Sequence, residues 1–246
     1  MSRLKVSTRE IGNVKVFDLL GDPDQESLMD VAWKIQRSIR RHRLQRVILN
    51  VQKVKNLDEI SIRRLIAAFI RPQRSVIFGA SEELTSSFEE TYLPKNVRLC
   101  PTEKEVAEDF GPFLFHKDEL GNVLGEAERH LNGEGGGLEF ERRRSKRMHV
   151  AIPLDFTLLS EGQPPIRTRA ISTNVSDGGI FVEFLDLDAL KRIAEIEKIE
   201  RMKVAIDIHP SENFPEDYHL EGEIRRKEER KHGLGLAIKF TPAKLS

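Results

Sequence analysis

Cysteine is almost absent from this chain of 246 residues, where Cys100 stands alone. One thiol can neither staple a fold nor build a thiolate metal cage, which excludes a disulfide scaffold and a cysteine-type zinc module. Within Val97 to Cys100, a run that looks like a strand, it reads as a buried, inert thiol kept in a reducing compartment. Long apolar runs are missing too. No stretch approaches the ~20 residues that span a bilayer, and Met1-Ser2-Arg3-Leu4-Lys5 lacks the apolar core of a signal peptide. The expectation is a soluble, cytoplasmic protein without membrane insertion. Net charge is also absent, since 40 basic residues balance 40 acidic ones, so charge must be read locally. Catalytic signatures are equally scarce. His42, His116, His130, His149, His209, His219 and His232 are scattered without a pair at metal-ligand spacing. No Gly-x-Ser-x-Gly, phosphate loop or dinucleotide fingerprint occurs. Neither an enzyme, nor a metal site, nor an organic cofactor is expected.

What is present falls into two halves. Val6 alternates into a Gly12-Asn13 break and resumes as Val14 to Leu20, a hairpin signal. Asp24 to Arg41 has helical spacing, with Leu28, Val31, Ala32, Ile35 and Ile39 on one stripe and a basic end that suits the helix dipole. Arg46 to Val51 reads as a buried strand. A helix over Glu59 to Phe69, a strand over Ser75 to Phe78 and a helix near Glu82 to Tyr92 follow. Strand Val97 to Cys100 and helix Glu103 to Phe110 close the series. Such alternation predicts an α/β layer fold over residues 1–112, with helices packed on a mixed sheet.

Residues 113–138 change character, with Gly121, Gly125, Gly133, Gly135, Gly136 and Gly137 and room for a short helix at Glu126 to Leu131. Glycine is costly to order, so the Gly-rich run predicts a hinge between two domains. Residues 139–246 are mostly β. Strand candidates are Ala151–Ser160, Arg167–Ser172, Gly179–Phe184, Met202–Ile208, Leu220–Arg226 and Leu234–Phe240, with an amphipathic helix over Leu187 to Ile199. Six strands with polar turns predict a small closed barrel.

Two motifs in the second half carry chemistry. Arg142-Arg143-Arg144-Ser145-Lys146-Arg147 is a dense cation cluster, and Asn174-Val175-Ser176-Asp177-Gly178-Gly179 is a polar turn leading into a strand. Arginine presents a planar fork that matches phosphate oxygens and the O6/N7 edge of guanine. Asn174 offers a carbonyl to the N1/N2 edge of guanine, Ser176 a small donor, and Gly178 and Gly179 a bend with close backbone approach. Together they form a grip for a guanine nucleotide with phosphates. Each also has a plainer reading: a solvated basic tether or nonspecific nucleic-acid contact for the first, a polar β-turn for the second.

The spacing Arg-x-x-x-Arg at Arg143 and Arg147, then Asn174-x-Ser176-x-x-Gly179, then Gly233-Leu234-Gly235-Leu236-Ala237-Ile238-Lys239-Phe240, resembles the PilZ domains that bind cyclic di-GMP. The resemblance implies binding rather than catalysis. Arg143 and Arg147 would hold phosphates and Hoogsteen edges, and Asn174, Ser176 and Gly179 would line the barrel face. It also implies that an arginine at position 142 accompanies two ligand molecules per site. After Phe184 the sequence departs from the family, because a helix-like insert replaces a tight turn. Nucleic acid is not an expected partner.

Residues 10–110 resemble the STAS domains of anti-sigma-factor antagonists through Arg46 to Asp58, a strand and loop running into a helix. The family often has a phosphorylated serine or threonine after this aspartate. Here Glu59 occupies that place and cannot be phosphorylated, and its single charge only partly imitates a phosphoserine. Asp58 and Glu59 are also simply good charges for a helix start. The resemblance implies an adaptor that docks a protein partner.

Overall fold

The computed structural model describes residues 3–110, 151–159, 164–210, 216–230 and 233–241. The predicted helix at Glu126 to Leu131, the Gly-rich hinge, and Arg142, Arg143 and Arg147 lie outside the described residues.

The first sheet has five strands in the order β1-β2-β3-β4-β5. They are β1 Lys5–Ile11, β2 Val14–Leu20, β3 Arg46–Lys53, β4 Arg74–Phe78 and β5 Val97–Cys100. β1 and β2 form the antiparallel hairpin around Gly12, whose φ of 53° suits glycine, and the remaining pairings are parallel. Helices α1 Gln25–His42, α2 Glu59–Phe69, α3 Glu82–Glu89 and α4 Glu103–Phe110 connect or follow the strands. α1 begins where Asp24 and Ser27 form a reciprocal capping box. α2 begins where the Asp58 carboxylate accepts from the Ser61 amide at 2.7 Å.

Strand periodicity sorts this sheet into two faces. Phe17, Leu19, Val47, Leu49, Val51 and Ile77 pack with the buried stripes of α1, α2 and α3. Alternate residues Ile11, Val14, Val16, Ile48, Val76, Phe78 and Cys100 belong to a separate cluster. It also contains Val106, Ala107 and Phe110 of α4, and Ala151, Ile171 and Leu185 of the second half. The sheet is therefore roofed by helices on one side, and by α4 and the second domain on the other.

That second domain is a closed barrel of six strands, β10-β11-β8-β7-β6-β9, with every pairing antiparallel. The strands are β6 Ile152–Leu159, β7 Ile166–Ser176, β8 Gly179–Glu183, β9 Lys203–Ile208, β10 Tyr218–Arg230 and β11 Gly233–Phe240. Inward residues such as Leu154, Phe156, Val182, Ile206, Ile224 and Leu236 fill it, and Phe156 meets Phe184 edge-on at 5.4 Å. The predicted helix after Phe184 is present but shorter, as α5 Leu187–Ala194, and Ala189 and Ile193 join the barrel core. It stops where the amide of Glu195 bonds back to Lys191 and Ile193.

Candidate functional site

β7 runs beyond its predicted end at Ser172 and carries Asn174 and Ser176 within the ladder. The register shifts between Ser172 and Asn174, so Thr173 is a bulge residue. Ser172 Oγ accepts from the Asn174 amide at 3.3 Å and donates to the Asn174 carbonyl at 3.2 Å, which holds the bulge. Ser176 pairs with Gly179 across the Asp177-Gly178 turn and its hydroxyl donates to the Gly179 carbonyl at 3.3 Å. The Asn-x-Ser-x-x-Gly motif is thus the β7–β8 hairpin itself.

Its members differ in access. Asp177 and Gly178 are exposed, Ser176 and Gly179 are half-buried, and Asn174 is enclosed at 6% exposure. Gly179 has a reason within the chain: a Cβ there would stand 2.3 Å from the Ile238 carbonyl oxygen. The close approach that demands glycine is therefore that of β11 onto β8. The same logic explains Gly235, where a Cβ would meet the Phe181 ring at 2.3 Å. The structure brings Asn174, Ser176, Gly178 and Gly179 onto one hairpin.

This hairpin is joined to the first domain by a polar clasp that the sequence reading missed. Glu183, at the end of β8, is buried and its carboxylate accepts from Thr173 Oγ1 at 3.0 Å and from the Gly12 amide at 3.3 Å. One residue on, Arg9 Nη1 donates to the Phe184 carbonyl at 2.6 Å and Nη2 to the Leu185 carbonyl at 2.8 Å. Arg9 is held for that task by Asp18, through Nε at 2.8 Å and Nη2 at 3.1 Å. Asn50 donates to both Asp18 and the Leu185 carbonyl, at 2.9 and 3.2 Å. Gln52 donates to Asp186 and accepts from the Leu187 amide, and Lys53 pairs with Asp188. On the barrel side these contacts fall at residues 183–188, from the last residue of β8 into the start of α5.

Arg9, Asp18 and Asn50 share the barrel-facing side of the sheet by strand alternation, with Asp18 paired to Asn50 in register. The visible signals were Asp18 and Asn50, polar residues inside the apolar runs of β2 and β3. Nothing in the local sequence marks Arg9.

Burial, aided by Asp109 and Glu105, pushes the Cys100 thiol up to about 12, which leaves it protonated and inert. Hydrogen bonds from Ser61 hold the Asp58 carboxyl below its ordinary value. Ser61 is buried and Glu59 is paired with Arg63, so the start of α2 presents no open hydroxyl. Among the described residues, no group of three His, Cys, Asp or Glu side chains could hold a metal ion. No described helix is long and apolar enough to cross a membrane.

Comparison with known proteins adds the family. The PilZ domain model matches residues 141–245. The PilZ domain of CeSA from a cellulose-synthesizing bacterium is 17% identical, over 41% of this chain and 85% of its own, with a TM-score of 0.30. The PilZ domain of YcgR from Escherichia coli, solved with c-di-GMP, is 19% identical over 43% of this chain and 82% of its own, with a TM-score of 0.32. The anti-sigma factor antagonist SpoIIAA, in its unphosphorylated form, is 17% identical over 43% of this chain and 96% of its own, with a TM-score of 0.31. No curated protein matches the chain. Residues 141–245, which hold the barrel and the Asn174 to Gly179 hairpin, are a PilZ domain.

Proposed function

We propose that this chain is a non-enzymatic receptor that binds cyclic di-GMP on its PilZ domain and reports the binding to its α/β domain. The observation that carries this reading is the family match over residues 141–245, with its hairpin motif intact. Arg143 and Arg147 supply forks for phosphates and guanine edges, and Arg142 accompanies a second ligand molecule. Ser176 and the exposed Asp177-Gly178 turn meet the ligand first, with Asn174 and Gly179 shaping the strands beneath.

The clasp supplies a route for relay, because the strand that follows the motif leads directly into two carbonyls, of Phe184 and Leu185, gripped by Arg9 and Asn50. Opening the clasp leaves the Arg9–Asp18 pair within the first domain but strips Arg9 of two carbonyl partners, at about 1.5–3 kcal/mol for each hydrogen bond to a charged group. Driving a two-state change from 1:99 to 99:1 needs a differential affinity of about 5.5 kcal/mol. Opening the clasp together with its apolar cluster would use all of that. The magnitudes therefore favour a local loosening that changes partner binding at the first domain over wholesale reorientation of the domains.

A second reading has a specific observation behind it. Gly179 and the enclosed Asn174 already have structural surroundings in this chain, which suits a protein-docking adaptor whose barrel takes no nucleotide. Calorimetric titration of cyclic di-GMP into the wild type and Arg143→Ala separates the two. The receptor reading predicts binding that Arg143→Ala abolishes, a ligand ratio of two, and rejection of cyclic di-AMP. No heat and no thermal stabilisation at saturating ligand would leave the adaptor. Binding that ignores the base and falls steeply with salt would point to nonspecific polyanion contact by the basic run.

A further inference from the structure

The solvent face of α1 carries a pattern that packing of the helix onto its sheet does not require. Opposite the buried Leu28, Val31, Ile35 and Ile39 stand Glu26, Met29, Trp33, Arg37 and Arg40, all exposed. Two of these are large apolar side chains left in water, Met29 at 58% and Trp33 at 55%. Single exposed apolar residues are ordinary, but two stacked one turn apart on the same ridge form a small patch.

The order of these five residues is the informative part. Their spacings are 3, 4, 4 and 3, symmetric about Trp33, with an acid at one end and a base at the other. A helix laid antiparallel against a copy of itself, with the two-fold axis at Trp33, then places Glu26 opposite Arg40 of the copy. Met29 falls opposite Arg37, and the two Trp33 rings meet at the axis. Such an isologous contact needs a self-complementary patch, and this ridge is one. The Arg37 guanidinium already lies over the Trp33 ring, 5.0 Å from its centre, so ring and cation are pre-arranged. Glu26 is paired within the chain to Arg3, and that pair is exposed, Glu26 at 86% and Arg3 at 52%, and so is cheaply exchanged.

We infer that α1 is a homodimer interface, whose occupant is the same helix of a second copy in antiparallel alignment about Trp33. The inference is independent of nucleotide binding. One helix pair places the contact at the low end of protein interfaces, below about 1,200 Å² in total, so the association is weak and concentration-dependent.

Sedimentation equilibrium of the full chain over a wide concentration range tests it. The expected result is a monomer–dimer equilibrium, with average mass climbing towards twice that of the chain. Trp33→Ala, at an exposed position that leaves the fold intact by circular dichroism, should weaken association roughly tenfold or more, as central aromatic anchors do. Glu26→Arg and Arg40→Glu should each weaken it by setting like charges opposite, and the double variant should recover it. A wild type that stays monomeric up to about 1 mM overturns the inference. So does a dimer indifferent to Trp33→Ala, or a double variant no better than the singles.

Discussion

Arg9→Ala is the perturbation whose size the structure fixes best. The guanidinium makes four hydrogen bonds, two to Asp18 and one each to the carbonyls of Phe184 and Leu185. Its side chain is 10% exposed and that of Asp18 3%. Removing it leaves the Asp18 carboxylate buried with Asn50 as its remaining hydrogen-bond donor among those described, and strips the Phe184 carbonyl of its Arg9 contact. Breaking a buried pair in this way costs about 3–5 kcal/mol, far above the ~0–1 kcal/mol of a surface pair. Urea denaturation followed by circular dichroism measures it. Asp18→Ala added to Arg9→Ala should cost less than the sum, because no lone buried charge then remains, with a coupling of roughly 1–3 kcal/mol. A loss below about 1 kcal/mol for Arg9→Ala, or strict additivity, would refute the buried clasp.

Other outcomes follow from local geometry. Gly179→Ala drives a Cβ to 2.3 Å from a backbone carbonyl and should destabilise the barrel by about 1–3 kcal/mol or more, seen as a lowered melting temperature. Gly178→Ala, on the exposed turn, should stay within about 0.5 kcal/mol. Asp58→Ala removes the α2 cap and should cost about 1 kcal/mol at neutral pH. Because the folded carboxyl is held below its unfolded value, that contribution is full above about pH 4 and fades as pH falls further. Cys100 should resist thiol-specific labelling in the native protein and react fully in denaturant, whereas rapid native labelling would contradict its burial.

The fold was largely legible because its elements obey simple periods. The stripe of α1, the Gly12-Asn13 hairpin and the apolar run of β3 each predicted their element and their burial. Legibility failed where tertiary context decides. β7 continues past Ser172 because a bulge at Thr173 turns the motif into ladder, and no local propensity encodes that. Gly179 read as room for a ligand, yet the atom it makes room for belongs to Ile238, about sixty residues away in sequence. The domain contact was hidden for a related reason. β3 is apolar on both faces, which demands two covers, but periodicity does not say that the second cover is the barrel. Arg9 meets its carbonyl partners, Phe184 and Leu185, only across 175 and 176 residues.

The most direct test of the account is amide hydrogen exchange of the full chain with and without saturating cyclic di-GMP. The Gly12 amide, in the first domain, donates to Glu183 at the end of the motif hairpin and is the natural reporter. The account predicts altered exchange at the Asn174 to Gly179 hairpin together with the Gly12 turn. Binding that changes exchange within the barrel alone, with Gly12 untouched, would contradict the proposed relay.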